Sequence, residues 1–156
     1  MKKAAFSIAL MMIISTFTMA QTPYRTALGL GIDLGDGATY FGPQVKHVFG
    51  NNAALQAQIM FSDYNFMYIG ADYQYVKNFP DTRAFAWYLG VGPQLGFATN
   101  GGNYTQFSLR PQAGLEFKLP EVPLGLHFDW KPWWSLNHGS RFTAGKFTIG
   151  VKYILK

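Results

Sequence analysis

The stretch FSLRPQAGLEFKL, residues 107–119, alternates between two kinds of side chain. Its odd positions carry no charge, whereas its even positions include Arg110, Gln112, Glu116 and Lys118. Alternation with a period of two is typical of a β-strand whose two faces meet different surroundings. A soluble β-protein buries the apolar face, and a membrane barrel buries the polar one. The stretch therefore predicts a strand and raises the question of which face points inward.

The same alternation continues through the chain after residue 20, where helical periodicity is absent. Clusters of Gly, Pro, Asn, Asp and Ser separate the alternating segments and indicate turns. Three segments also carry a Pro-Gln pair, and because proline cannot donate to a strand ladder, bulges or irregular pairing are expected there. The pattern predicts eight strands, at residues 24–34, 38–48, 53–62, 66–77, 84–98, 104–118, 123–134 and 143–155.

The first twenty residues have the features of a secretory signal peptide. Lys2 and Lys3 precede an apolar run, residues 4–14, that is short for a membrane span, and the segment ends in Thr18-Met19-Ala20. We therefore predict two parts: a signal peptide at 1–20 and a barrel domain at 21–156. Since there is no cysteine, disulfides and thiolate metal sites are excluded.

The composition also favours a membrane protein. Charged residues make up 13% of the chain, about half of the roughly 25% of an ordinary globular domain, and aromatic residues make up 17%. Without Lys2 and Lys3, eleven basic and eight acidic residues remain, which gives a net charge of about +3. These basic residues are dispersed and form no patch, so nucleic acid is not a predicted partner.

Side-chain volume indicates which face is inside. The lumen of an eight-stranded barrel is just wide enough to be filled by side chains. The set rich in Gly, Ala and Gln fits such a lumen, whereas the Phe, Trp, Tyr and Leu set would overfill it. The sequence therefore predicts an eight-stranded antiparallel up-and-down transmembrane β-barrel whose polar face points inward and whose apolar face meets lipid.

Two groups of residues follow from this orientation. Charges inside a barrel must be paired, and aromatic residues near strand ends form girdles at the membrane interfaces. The predicted interior polar network is Lys46, Asp72, Arg110, Glu116, His127 and Asp129. Lys118, Lys131, Lys146, Lys152 and Asp33 also have inward parity, and six glutamines would complete the network. The predicted interfacial aromatic residues are Trp87, Trp130, Trp134, Tyr73 and Tyr153, and Tyr24, Tyr40, Tyr75 and Trp133 are assigned to the same girdles.

In length and pattern, the predicted mature chain resembles the small eight-stranded outer-membrane β-barrels of Gram-negative bacteria, the OmpA/OmpX-like barrel domains. The resemblance implies export through the signal peptide, folding by the outer-membrane assembly machinery, and contact with outer-membrane lipids including lipopolysaccharide. It departs from the family at the C-terminus. Such barrels usually end in an aromatic residue, whereas here Tyr153 is followed by three residues ending in Lys156.

The segment NHGSR, residues 137–141, contains the only candidates for catalysis. His138 and Ser140 are similar to the His and Ser of lipid A deacylase barrels, which also have eight strands. A serine hydrolase needs a carboxylate to orient its histidine, and no Asp or Glu follows Ser140. We therefore expect no enzymatic activity, and a lipid A acyl hydrolase is the alternative. No cofactor, metal or small-molecule partner is predicted.

Two further alternatives concern the interior. An eight-stranded barrel has a filled lumen, but an interior of charged pairs could open into a small pore. If the faces were inverted, the chain would be a soluble periplasmic barrel around an apolar ligand. The predicted loops that face outward are short, and the last one, with Trp133, Trp134, Asn137, His138 and Arg141, is the best candidate for external contact. We predict a structural or interaction role in the outer membrane.

Overall fold

The computed structural model describes residues 24–50, 52–80, 82, 84–137 and 139–155. The predicted signal peptide at 1–20, His138 and Lys156 lie outside these residues. The described chain forms ten β-segments: β1 (Thr26–Leu34), β2 (Tyr40–Phe49), β3 (Ala53–Ser62), β4 (Phe66–Asn78), β5 (Phe85–Ala98), β6 (Thr105–Lys118), β7 (Leu124–Trp130), β8 (Trp133–Ser135), β9 (Arg141–Thr143) and β10 (Phe147–Leu155).

These segments form one closed antiparallel barrel. Each strand from β1 to β6 pairs with the next along the chain, β6 pairs with both β7 and β8, and β7 and β8 pair with β10 and β9 respectively. The first and last strands close the barrel, from Thr26 opposite Leu155 to Leu34 opposite Phe147. Because β7 and β8 form one interrupted strand, as do β9 and β10, the barrel has eight strands as predicted. Among the described segments, only the three-residue β9 at one end of the barrel pairs on a single side, with β8.

The break in the seventh strand has a cause in the sequence. Ala113 pairs with Trp130 and Leu109 with Trp134 in one unbroken register, which places Pro111 opposite Pro132. Neither proline has an N–H to donate, so the ladder is interrupted while its register is kept. The predicted continuous strand at 123–134 is therefore wrong in one respect, because it divides at residues 131 and 132.

The break in the eighth strand is a bulge. Phe147 pairs with Trp130 and Thr143 with Trp133, so four steps along the eighth strand lie opposite three steps along the seventh. One extra residue between β9 and β10 reverses the alternation of the faces. Phe142 and Phe147 both face outward, although one number is even and the other odd, so in a regular strand they would point to opposite faces. The prediction of one continuous strand at 143–155 is therefore wrong.

The apolar side chains cover the outside of the barrel. In the opening stretch, Leu115 is 51% exposed, whereas Arg110 and Glu116 are 0% and 2% exposed. The same division holds around the barrel. Outward apolar residues include Leu28, Leu30, Ile32, Leu55, Ile59, Ile69, Leu89, Leu126, Phe128, Ile149 and Val151. Polar side chains thus form most of the core, and the exterior of the strands is predominantly apolar.

Three of the aromatic residues that were assigned to the girdles lie inside the barrel instead. Tyr24, Tyr40 and Trp133 are all buried. Tyr24 precedes the first strand, which begins at Thr26, so the alternation of that strand does not govern it. Tyr40 and Trp133 lie near strand ends but share the inward parity of their own strands. The assignment of these three residues to the membrane interfaces is therefore wrong. Along a strand, the alternation of side chains between the two faces determines where a ring points, even near the strand end.

Close strand contact at Gly42 makes a first testable prediction. A methyl group added there would lie against the backbone oxygen of Ile59 and 3.0 Å from the Met60 Cα. We expect Gly42→Ala to lower the free energy of unfolding by about 1–3 kcal/mol, because backbone atoms of a paired strand cannot move aside cheaply. Denaturant titration of the refolded barrel measures the change. Gly125→Ala is the matched control.

Gly125 is also an inward strand glycine, but an atom added to it would meet nothing nearer than the Phe117 backbone oxygen at 3.7 Å. Its substitution should change the free energy of unfolding by less than about 0.5 kcal/mol. Equal losses at the two positions would contradict this account of the strand spacing.

Candidate functional site: the barrel interior and its mouth

Asp72 is the centre of one group of buried charges. Arg110 Nη2 donates to both of its oxygens, at 2.9 and 2.8 Å. Lys131 Nζ donates to Asp72 Oδ2 at 3.3 Å and to Gln58 Oε1 at 3.1 Å. Asp72, Arg110 and Lys131 are at most 1% exposed. In this environment of low polarity, the Asp72 carboxylate is the shared partner of two cations, and Lys131 also lies 3.8 Å from Asp129.

Glu116 is the centre of a second group, nearer the end of the barrel where the chain enters β1. It lies 2.8 Å from Lys46 Nζ and 3.7 Å from Lys152 Nζ. The Tyr24 hydroxyl donates to its other oxygen at 2.7 Å. Tyr24 thus caps the charged interior from a position before the first strand. Burial raises the pKa of the Tyr24 hydroxyl well above its ordinary value, and the neighbouring Glu116 carboxylate adds to the effect.

His127 and Asp129 form a third group, whose protonation follows from its partners. The Gln44 amide nitrogen can only donate, so His127 Nε2 accepts its hydrogen bond at 2.7 Å. The ring proton is therefore on Nδ1, which donates to Asp129 Oδ2 at 3.1 Å. Tyr88 donates to the other oxygen of Asp129. Both ring nitrogens are occupied, so the neutral imidazole has none free to activate a nucleophile.

Glutamine side chains join these groups. Gln56 donates to Gln44 at 2.9 Å, and its own oxygen accepts from Lys152 at 3.0 Å and from Gln74 at 3.2 Å. An amide can donate and accept at once, so it links a cation to a second amide without adding charge. The network is thereby continuous between the Glu116 group and the His127 group.

One wall of the interior keeps unused polar atoms. Among the described residues, buried nitrogen and oxygen atoms of five side chains have no hydrogen-bond partner: Gln74, Gln94, Ser108, Arg110 and Gln112. They belong to the adjacent strands β4, β5 and β6, where Gln94 lies opposite Ser108. Such groups in a protein interior are usually completed by buried water. This wall is therefore where internal water would bind.

An aromatic layer covers the polar network at the end of the barrel that carries the β1–β2, β3–β4, β5–β6 and β8–β9 connections, which we call the mouth. Tyr40, Tyr68 and Trp133 are buried there with Met60. Their ring centroids lie 5.3–5.5 Å apart with steep interplanar angles, as aromatic groups prefer. The layer separates the charged interior from the space above it.

Above this layer the mouth contains a cavity of about 290 Å³. It lies between the loop after β1, the start of β6 and the bulged eighth strand. Its lining includes three aromatic rings, three charged groups and several neutral polar groups, namely Tyr40, Tyr104, Trp133, Asp36, Arg141, Lys146, Gln106, Ser135 and Thr143. The bulge brings Arg141, Thr143 and Lys146 to one surface, although a regular strand would divide them between two faces.

Lys146 is the buried cation of this cavity, with 4% of its surface exposed. Its Nζ donates to the Gly35 carbonyl oxygen at 2.7 Å and lies 4.5 Å from the Trp133 ring centroid and 5.3 Å from that of Tyr40. No carboxylate of the described residues lies within 4.0 Å of it. Burial lowers the pKa of Lys146, and the carboxylates of Asp36 and Asp33 oppose that shift.

The structure places all six predicted network residues inside the barrel, in the three groups described above. The predicted interfacial residues Tyr73, Trp130, Trp134 and Tyr153 are exposed on the outside, and Trp87 is partly exposed there. Ser140 lies in the β8–β9 connection, where its hydroxyl accepts a hydrogen bond from Trp134 Nε1 at 2.8 Å. Its predicted partner His138 lies outside the described residues.

Sequence reasoning missed the mouth cavity. Arg141 was recognised as an external contact and Lys146 as inward, but their common surface depends on a bulge that alternation does not reveal. The signal present was local: the AGK segment, residues 144–146, interrupts an otherwise regular pattern with small residues. Sequence reasoning also did not identify Tyr24 and Tyr88 as hydrogen-bond donors to the buried carboxylates of Glu116 and Asp129.

Comparison with known proteins agrees with this architecture. No protein-family model matches the chain, and no curated protein matches its sequence significantly. A de novo designed transmembrane β-barrel has a similar structure, with a TM-score of 0.61 at 12% identity over 88% of this chain and 100% of the designed one. The Yersinia pestis outer membrane protein Ail, solved in a phospholipid bilayer nanodisc, gives a TM-score of 0.55 at 15% identity over 85% of this chain and 100% of Ail.

Identities this low establish the fold alone. They confirm the predicted fold class, a closed eight-stranded antiparallel barrel, which matches the fold of two transmembrane β-barrels. Separately, the described part of the chain contains no helix that is long and apolar enough to cross a membrane.

Proposed function

We propose that the chain is an integral outer-membrane β-barrel with a filled polar interior and a structural or interaction role. The observation that carries this proposal is the distribution of charge. Among the described charged residues of β1–β8 and β10, Lys77 alone is exposed, and it lies one residue from the end of β4. A surface this apolar is costly in water, whereas lipid requires it.

Strand length and closure support the same proposal. The uninterrupted strands have 9–14 residues, and about 9–11 tilted residues suffice to cross a bilayer. Closure pairs each of the strands β1–β6 and β10 on both sides, and a hydrocarbon environment demands such pairing of the backbone groups. We infer that the chain is exported through its N-terminal segment, folded by the outer-membrane assembly machinery and oriented with its mouth outward, in contact with lipopolysaccharide.

We further infer that the barrel is neither a hydrolase nor a stable pore. Arg110, Tyr68, Tyr88, Lys46 and Lys152 fill the lumen with fully buried side chains. The one histidine–carboxylate pair of the described interior, His127 with Asp129, is held by Gln44 and Tyr88. Ser140 lies in the β8–β9 connection, where its hydroxyl accepts from Trp134. Lipid A from cells that express the protein should therefore keep all of its acyl chains, and the purified barrel should give no steady conductance in a planar bilayer.

The proposal makes a direct prediction for gel electrophoresis in SDS. The protein should be recovered with outer membranes, and unboiled samples should migrate differently from boiled ones, because a closed barrel with a bonded interior resists SDS until it is heated. Recovery in the soluble fraction without a mobility shift would contradict the proposal and would favour a periplasmic barrel with an apolar ligand.

A further inference from the structure

We propose that the mouth cavity binds an anionic sugar, such as a hexose that carries a phosphate or carboxylate group. The volume of about 290 Å³ suits a small molecule and not a macromolecule. The inference rests on the proposed outer-membrane role in one respect only: that role places the mouth, and therefore the entry of the sugar, on the outer side of the membrane.

The cavity offers both hydrogen-bond donors and hydrogen-bond acceptors that other described residues do not use. Asp36, Gln106, Arg141 and Thr143 line it and make no side-chain hydrogen bond or ion pair with other described residues. Between them they provide guanidinium and amide donors, a carboxylate acceptor, and a hydroxyl that does both. A sugar hydroxyl also donates and accepts, so this mixed lining matches a polyhydroxylated ligand better than an apolar one.

The charges of the cavity favour an anion. Two cations, Arg141 and Lys146, line it with one carboxylate, Asp36. Lys146 uses one of its three donors on the Gly35 carbonyl and has no carboxylate within 4.0 Å among the described residues. The guanidinium of Arg141 presents the paired donors that bind phosphate and carboxylate groups. A ligand anion here would compensate a buried cation that has no carboxylate within 4.0 Å among the described residues.

The floor of the cavity is aromatic. The Trp133 and Tyr40 rings are held in place by packing against Tyr68 from below, so they form a preorganised surface. Rings of this kind supply the apolar part of a small-molecule site, and the polar groups around them determine orientation. The cavity is therefore built before any ligand arrives, and binding costs little rearrangement.

Calorimetric titration of the full barrel in detergent micelles tests this inference. The probes are glucose 6-phosphate, glucose and inorganic phosphate. Glucose 6-phosphate should bind more tightly than either of the others. Arg141→Gln should weaken its binding by at least about tenfold, the effect of losing a charge-assisted hydrogen bond, and should leave the affinity for glucose almost unchanged.

Lys77→Gln is the matched control, because it removes an exposed lysine of β4 that does not line the cavity. It should bind like the parent protein. Since the Arg141 side chain makes no hydrogen bond or ion pair with other described residues, its substitution should not disturb folding. Three results would each overturn the inference: no binding of glucose 6-phosphate, binding no tighter than that of glucose or phosphate, or an unchanged affinity in Arg141→Gln.

The same titration in nanodiscs identifies the source of the sugar. If lipopolysaccharide sugars enter the cavity, glucose 6-phosphate should bind more weakly in nanodiscs that contain lipopolysaccharide than in phospholipid alone. Equal affinities would indicate a free sugar, and both results support the site. The mobility shift on boiling distinguishes a failure of the membrane-barrel proposal from a failure of the sugar-site proposal. A sample without the shift counts against the membrane barrel, and a shifted sample that binds nothing counts against the sugar site.

Discussion

Replacing Asp72 by leucine should lower the free energy of unfolding by about 3–5 kcal/mol, the largest effect expected of a single substitution in this barrel. Arg110 Nη2 and Lys131 Nζ both depend on its carboxylate, at 2.8 and 3.3 Å. Without it, Arg110 has no carboxylate within 4.0 Å among the described residues, and Lys131 has only that of Asp129, at 3.8 Å. A buried cation without compensation is far costlier than the loss of the pair itself.

Urea titration of the refolded barrel, followed by the electrophoretic shift and by tryptophan fluorescence, measures this loss. Asp63→Leu is the control, because Asp63 is an exposed turn residue and its substitution should change the free energy of unfolding by less than about 0.5 kcal/mol. The double variant Asp72→Leu with Arg110→Leu should recover part of the loss, since only one uncompensated cation then remains. A single variant as stable as the parent would show that the Asp72 group is not a compensated charge cluster.

Introducing arginine at Leu30 should cost about 2–4 kcal/mol in a phospholipid bilayer. Leu30 is 62% exposed and occupies the middle of β1, where the apolar band should lie at the bilayer centre. A guanidinium at this depth must leave water or deform the membrane. The expected loss is specific to the membrane, because the same side chain on a protein surface in water is nearly neutral.

Equilibrium unfolding from phosphatidylcholine vesicles measures the effect. Tyr64→Arg is the control, since Tyr64 is 73% exposed on the β3–β4 turn and should tolerate charge. If Leu30→Arg is as stable as the control, the outer surface does not contact lipid and the membrane proposal is wrong. Because this test concerns the exterior and Asp72→Leu concerns the interior, the two results are independent of each other.

Much of the interior could be predicted because the odd or even position of a residue within its strand determines whether its side chain points into the barrel or out of it. The alternation in residues 107–119 predicted that Arg110 and Glu116 share a face, and both are buried in the barrel. Which cation meets which carboxylate could not be predicted. Asp72 and Arg110 are 38 residues apart and Lys46 and Glu116 are 70 apart, so their pairing depends on closure and on the tilt of the strands.

Local pattern was misleading at the ends of strands. Tyr40 and Trp133 were assigned to the membrane interface because of their residue type and position, yet both pack inside against Tyr68. Tyr24 lies before the first strand and turns inward to reach Glu116. At these places a tertiary partner, and not an interfacial preference, determines where the ring lies.

The amino-acid sequence alone was sufficient for the number of strands, the antiparallel barrel and the orientation of its two faces. These properties follow from a period of two, which is local to each strand, and from the volume that eight strands enclose. The ion pairs, the bulge between β9 and β10 and the mouth cavity depend on register between strands that are distant in sequence. An insertion of one residue reverses every later side chain relative to its neighbour, so only the paired strands determine that Arg141 and Lys146 line the same cavity.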